Sequence, residues 1–168
     1  MSEFVYRPMR TGEEEAVADL AAQVFNQAVA PGYADEGVQE FLRYSSADRV
    51  RERLQADHFV LVAEERGELV GLIEMRHSEH VAMLFVTQPG RGVGRELLRR
   101  AIARCRLVVP DLTRVTVHAA PGAVEIYARF GFRALEPEQI ESGIRFVTMA
   151  LELDHAVGES GGSRREKW

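Results

Sequence analysis

One stretch limits the architectures open to this chain more than any other: His80 to Cys105, HVAMLFVTQPGRGVGRELLRRAIARC. The apolar run His80 to Thr87 predicts a buried strand, because both its flanks are turn-forming. Gln88-Pro89-Gly90-Arg91-Gly92-Val93-Gly94 follows, with three glycines in five positions around one arginine. Beyond it Leu97, Leu98, Ala101, Ile102 and Cys105 recur with helical spacing, and Arg95, Arg99, Arg100, Arg104 and Arg106 take most of the remaining positions. Strand, glycine loop and amphipathic helix in that order aim several backbone N–H groups at whatever lies beyond the strand's end. Such a place binds anions, phosphates above all. Two nucleotide motifs are excluded. The loop has no Gly-Lys-Ser/Thr ending, and Gly92-Val93-Gly94 is followed by Arg95-Glu96-Leu97 rather than by the third glycine of a dinucleotide fingerprint.

At 168 residues the chain is one domain, long enough to bury a full core. A hydrophobic share of 46% with 28% charged residues excludes disorder throughout. No apolar run approaches the roughly 20 residues that span a bilayer, and Met1-Ser2-Glu3-Phe4 lacks a signal-peptide start. Cys105 is the single cysteine, which excludes a disulfide framework and a cysteine metal cage. The expectation is a cytoplasmic protein with no membrane or metal among its partners. A net charge of −5 argues against nucleic acid and fits, loosely, a cationic substrate such as an amine.

Read in order, Phe4 to Arg10 predicts a first strand, with Pro8 suited to a sheet edge. Thr11 is the expected N-cap of a helix with Glu13, Glu14 and Glu15 in its first turn and Val17, Leu20, Val24, Phe25 and Ala28 along one face. Pro31-Gly32 ends it, and further helices are expected over Asp35 to Tyr44 and Ser46 to Gln55. Phe59 to Glu64, Leu69 to Arg76 and the organising strand predict a three-stranded antiparallel meander. After the arginine-rich helix, Thr113 to Ala119 alternates as a strand, Pro121 opens a helix to about Phe130, and Gly131 is its C′ glycine. Phe132 to Leu135 and Ile144 to Leu153 are the last strands, joined by a polar loop. The expected organisation is one domain over residues 1–154 and a flexible polar tail over 155–168.

The glycine loop behind its apolar strand resembles the acyl-CoA signature of the GCN5-related N-acetyltransferase (GNAT) superfamily, Gln/Arg-x-x-Gly-x-Gly/Ala. His118-Ala119-Ala120-Pro121-Gly122-Ala123-Val124-Glu125-Ile126-Tyr127-Ala128-Arg129-Phe130-Gly131-Phe132 is similar to the segment of that family ending in Tyr-x-x-x-Gly-Phe. Phe25-Asn26, Val29 to Tyr33 and Glu36-Gly37-Val38 resemble one bacterial branch, as do Glu138-Gln139 and Gly143 to Phe146 with Met149. The likeness spans about residues 4–153, with its motifs in order. It implies an α/β (α+β) fold: a mixed, mostly antiparallel sheet flanked by helices on both faces. The organising strand and its neighbour splay apart there to admit the pantetheine arm of CoA.

Acyl transfer from a thioester to an amine needs a held donor, a neutral nucleophile, a stabilised oxyanion and a proton for the departing thiolate. The resemblance implies acetyl-CoA as co-substrate. Backbone groups of Leu84, Phe85 and Val86 would bond the pantetheine, and Gly90, Arg91, Gly92, Val93, Gly94 and Arg95 would surround the phosphates. His118, Ala120 and Tyr127 complete the cofactor side, with a proton relay or plain packing as the alternatives for His118. Glycine is expected in the loop so that no Cβ holds the backbone away from the phosphate oxygens. Tyr127 is the implied general acid, since a phenol near pKa ~10 can protonate a thiolate of similar basicity; its alternative is a core aromatic. His80 is the first candidate base, on the same strand face as Leu84 and Val86 by parity, with a structural hydrogen bond as its alternative. Glu74 is the second, against a solvated strand residue. The amide of Phe85 or Val86 would meet the oxyanion. Tyr33 and Glu36, with Asp35, would border the acceptor; the alternative for Tyr33 is a plain surface turn residue.

Three departures from the family pattern stand out, one being a loop about two residues shorter than the common Val-x-Pro-x-x-Gln/Arg form. Pro89, without an N–H, replaces the usual Gln or Arg, and His118 replaces the usual asparagine. Cys105 belongs to the core by its helical spacing. The implied function is an acetyl-CoA-dependent N-acetyltransferase acting directly on a primary amine of a small molecule, peptide or protein. The alternatives are a catalytically inactive acyl-CoA-binding sensor or interaction module, and a nucleotide-binding regulator. The acceptor, and whether the chain is a monomer or a homodimer, stay open.

Overall fold

A computed structural model describes residues 3–154; the expected tail over 155–168 lies outside the described residues. Strand β1 (Phe4–Pro8) leads to helix α1 (Glu14–Ala28), a 3-10 turn at Ala30–Gly32, and helices α2 (Asp35–Tyr44) and α3 (Ala47–Leu54). The meander follows as β2 (His58–Glu65), β3 (Glu68–Arg76) and β4 (His80–Val86). Helix α4 (Val93–Val108), β5 (Arg114–Ala119), a 3-10 turn at Pro121–Ala123 and α5 (Val124–Arg129) come next. The chain closes with β6 (Arg133–Ala134), β7 (Gln139–Glu141) and β8 (Ile144–Glu152). The sheet order is β1-β2-β3-β4-β5-β8-β6, with β7 paired to β8. Every pairing is antiparallel except β4 with β5.

Two cores follow from strand alternation. On one face Leu61, Ala63, Ile73, Met75, Val81, Val115, Val117, Ala119, Met149 and Leu151 meet the apolar stripe of α4 and Tyr127 of α5. On the other, Val60, Val62, Leu72 and Met83 meet Val17, Leu20 and Ala21 of α1 and Val50 of α3. Cys105 is fully buried in the first core, and burial pushes its thiol up to about 11, which keeps it protonated. The arginines of α4 are not idle surface charge. Arg100 lies over Tyr6 (4.8 Å to the ring centre) and Arg104 over Phe59 (4.8 Å), capping aromatic edges of the sheet with guanidinium planes.

Several local expectations are corrected. Thr11 is not the N-cap of α1: Glu13 holds that position, and its carboxylate takes the amide of Arg10 (2.7 Å) and the guanidinium of Arg7 (2.7 and 3.0 Å). Those bonds hold the Glu13 carboxyl down at about 2. The residues after Pro121 form a 3-10 turn before α5 rather than one continuous helix. The polar loop before β8 contains a further strand, β7. Its hairpin closes through Ser142 (φ 52°) and Gly143 (φ 79°), the pair of positive angles that a tight two-residue turn requires.

That turn is where α2 is seated. A Cβ on Gly37 would lie 2.2 Å from the Gly143 carbonyl oxygen, so the helix and the hairpin meet backbone to backbone. Gly37→Ala should therefore cost about 1–3 kcal/mol through overpacking, read as a lower urea midpoint at unchanged slope. An unchanged midpoint would show that α2 does not depend on this contact.

Candidate active site at the parting of two strands

The parallel pair β4–β5 holds for two rungs, His80 with Thr116 and Val81 with Val117, and then the strands separate. From Ala82 to Val86, β4 is paired on one side only, to β3; from His118 onward β5 is paired only to β8. The backbone of Leu84, Phe85 and Val86 therefore borders a gap wide enough to stop strand pairing. Ala120 follows directly on the opposite bank, leading β5 into α5.

Below the end of β4 the glycine loop turns into α4. Gly90 (φ 83°) and Gly92 (φ 79°) are left-handed, and nothing lies within 4 Å of a Cβ built on either. Glycine at these two positions is thus demanded by backbone angle; crowding by protein atoms plays no part. Gly92 is the N-cap, and no side chain caps the helix. The amides of Val93, Gly94 and Arg95 precede the first helical bond, from Glu96 N–H to the Gly92 carbonyl, and carry the positive end of the helix dipole. Gly94 sits between Val86 and Phe130: a Cβ there would be 3.7 Å from Val86 Cγ1 and 3.8 Å from Phe130 Cζ. The helix N-terminus, the end of β4 and α5 thus converge.

The loop's two arginines part company. Arg91 is drawn to Glu65 through a two-pronged ion pair (2.9 and 3.0 Å) and lies over Phe4. Arg95 stacks over Phe130 at 5.3 Å, beside the gap. Next to it Tyr127 packs edge-on against Phe130 and Phe132, 7% exposed. Its hydroxyl has no hydrogen-bond partner among the described residues, and burial raises the phenol above its usual pKa.

Strand parity misplaces His80. In the pairing of β3 with β4, Glu74 opposes Met83 and Met75 opposes Val81, so Ala82 is an extra residue: a β-bulge. The bulge resets the alternation. Leu84 and Val86 pack toward α4, whereas His80 lies on the α1–α3 face. There its Nδ1 pairs with Thr116 Oγ1 at 2.7 Å, and the ring meets His118 edge-on at 4.7 Å. His118 in turn stacks on Phe146 at 4.5 Å with 28° between planes. Burial, with Arg76, His118 and His58 nearby, pushes His80 down to about 3. His118, exposed on β5, is lowered more mildly, chiefly by desolvation.

Glu74 is not a solvated strand residue. It is fully buried, gripped by Arg53 Nε (2.7 Å) and Nη2 (3.0 Å) and by His58 Nδ1 (2.7 Å). Arg53 also donates to the Tyr44 carbonyl (2.6 Å) and lies over the Tyr44 ring (3.8 Å), so the cluster fastens α3 to the sheet. Tyr33 is similarly committed: its hydroxyl donates to the Arg145 carbonyl at 2.7 Å, joining the segment before α2 to β8. Glu36 is exposed at the seat of α2 on the hairpin. Thr116, Arg76 and Phe146 were not anticipated from the sequence. Thr116 could have been, since it shares a strand face with His118 two residues on.

A cavity of about 630 Å³ lies elsewhere, between the β1–α1 junction and α3; it is lined by His58 of the Glu74 cluster but by none of Tyr127, His80, His118 or the glycine loop. The gap itself is an open slot between strands.

This architecture is the N-acetyltransferase fold. It matches a GCN5-related N-acetyltransferase from Rhodopseudomonas palustris (TM-score 0.77, 23% identity, 91% of this chain and 98% of that one). It also matches the PaiA N-acetyltransferase from Thermoplasma acidophilum, solved in complex with coenzyme A (TM-score 0.72, 17% identity, 90% and 99%). A mutant spermidine N-acetyltransferase from Vibrio cholerae shares it too (TM-score 0.60, 17% identity, 89% and 93%). No match was found among curated proteins. The chain belongs to the acetyltransferase (GNAT) family, whose domain matches residues 29–153. Among the described residues no helix is long and apolar enough to cross a membrane.

Proposed function

We propose that the protein is an acetyl-CoA-dependent N-acetyltransferase that passes acetyl directly to a primary amine of a small molecule, peptide or protein. One observation carries the reading. The gap between β4 and β5 has uncapped helix amides at one end and, close by, a buried phenol whose hydroxyl has no hydrogen-bond partner among the described residues. Family membership supports acyl transfer in general, and the relative named for spermidine supports an amine acceptor.

In this reading the free edge of β4 at Leu84, Phe85 and Val86 bonds a pantetheine amide as a strand would. The amides of Val93, Gly94 and Arg95, reached through Gly90 and Gly92, take the diphosphate, and Arg95 adds the nearest free guanidinium. Arg91 holds the loop to β2 through Glu65. Acetyl-CoA supplies the activated acetyl group. An amide of Phe85 or Val86 stabilises charge on the carbonyl oxygen, and Tyr127 hands its proton to the departing sulfur. A dry site raises a thiol's pKa together with a phenol's, as Cys105 illustrates, so the two stay close enough for transfer. Glu74 has no part in proton transfer, because its oxygens are occupied. Glu36 and the Tyr33 segment shape the acceptor entrance from α2.

Release of free CoA in the presence of a panel of primary amines tests the reading, alongside thermal melts with CoA. Saturation near 100 Kd should stabilise the fold by about 2.7 kcal/mol. Stabilisation by CoA with no turnover of any amine would leave an acyl-CoA-binding module. Stabilisation by ATP but not CoA would overturn both.

A further inference from the structure

The amine must lose a proton before it can attack, and the rings on the α1–α3 face differ sharply in their fitness to take it. His80 is buried and its Nδ1 is committed to Thr116. His118 is exposed, and neither of its ring nitrogens has a hydrogen-bond partner among the described residues. It is also the first residue of β5 beyond the last rung with β4, so it stands where the gap opens. Its plane is set by Phe146, stacked against it, and by a T-shaped contact with His80. Tyr127 belongs to the core on the opposite face, under α4.

We propose that His118 is the catalytic base of this enzyme, accepting the proton of the acceptor ammonium, and that His80, held by Thr116, is a positioning residue that fixes the His118 ring. This deepens the acetyltransferase reading and rests on it. In the step, one N–H bond of the ammonium breaks and its proton passes to a ring nitrogen of His118, leaving a neutral amine. As the new C–N bond forms and the C–S bond breaks, Tyr127 protonates the sulfur and recovers a proton from the nitrogen. His118 then releases its proton to water, so ammonium and thioester become amide, thiol and one free proton.

The charged and titratable groups facing His118 are Arg76 from β3, His80 from β4, Glu136 from the segment before β7 and Glu141 from β7. Arg76 disfavours the imidazolium and the two carboxylates favour it, leaving His118 below its ordinary value on balance through desolvation. It is therefore neutral at pH 7 and free to accept. His80, at about 3, would take a proton from an ammonium near pKa ~10.4 against roughly seven powers of ten, and His118 faces a smaller gradient.

The test is the pH dependence of kcat/KM for the intact protein and for His118→Asn and His80→Gln, with ring titration by NMR in the absence of substrates. The unmodified enzyme should lose activity on the acid side through an apparent pKa below about 6.5. H118N should abolish that limb and lower kcat roughly 100-fold, with KM for acetyl-CoA changed less than about threefold. H80Q should retain the limb. The His118 ring should titrate below about pH 6.5 and the His80 ring should stay neutral down to about pH 4. A limb that persists in H118N, or a rise in KM for acetyl-CoA without loss of the limb, overturns the base assignment alone. Absence of turnover in the unmodified protein overturns the acetyltransferase reading, and the base with it.

Discussion

Tyr127→Phe is expected to lower kcat by about 100- to 10,000-fold, equivalent to roughly 3–5 kcal/mol in the barrier, while affinity for CoA and thermal stability stay almost unchanged. The ring is held between Phe130 and Phe132 by edge contacts that phenylalanine reproduces. Only the hydroxyl is removed, and it has no hydrogen bond to any described residue to lose. Deleting a hydroxyl that bonds no described residue leaves the hydrogen bonds of the fold intact, so a fall in rate cannot be blamed on a weakened fold. Steady-state kinetics, CoA titration calorimetry and a melt on the same preparation separate the three quantities. A kcat within threefold of the unmodified enzyme would remove Tyr127 from proton transfer and leave it a core aromatic.

The second large effect concerns the fold. Arg53→Ala should destabilise the protein by about 3–5 kcal/mol, because it strands a fully buried carboxylate. Glu74 would keep only His58 in place of three N–H partners, and the Tyr44 carbonyl would lose its donor as well. The charge itself carries the penalty. Arg53→Met combined with Glu74→Met should recover most of the loss, since a buried pair replaced together by apolar side chains of similar volume is often neutral. Urea unfolding measures both, and a loss below 1 kcal/mol in R53A would mean that water already reaches Glu74.

These expectations separate what the sequence made legible from what it hid. Elements whose cause is local were legible. The amphipathic α4, the meander and Gly131 (φ 102°) after α5 are written in neighbouring residues. So was the glycine loop, though the need for Gly90 and Gly92 proved to be a matter of backbone angle. Ser142-Gly143 was a readable turn signal, and β7 could have been inferred from it. The hidden features are those decided by a distant partner. The bulge at Ala82 exists only in register with β3, and it moves His80 to the other face from Leu84 and Val86. Glu74 looks like any strand carboxylate until Arg53 arrives from α3. The pairing of Arg91 with Glu65 and the bond from the Tyr33 hydroxyl to the Arg145 carbonyl are likewise contacts with distant segments.

The brevity of the β4–β5 pairing has a mechanical meaning. The molecule is in effect two half-sheets stitched by a pair of stitches at one corner, each half carrying its own share of the chemistry: the free strand edge on one, the phenol and exposed imidazole attached to the other. A guest of strand width would act as mortar between them, so that loading the site and aligning the reacting groups become a single event.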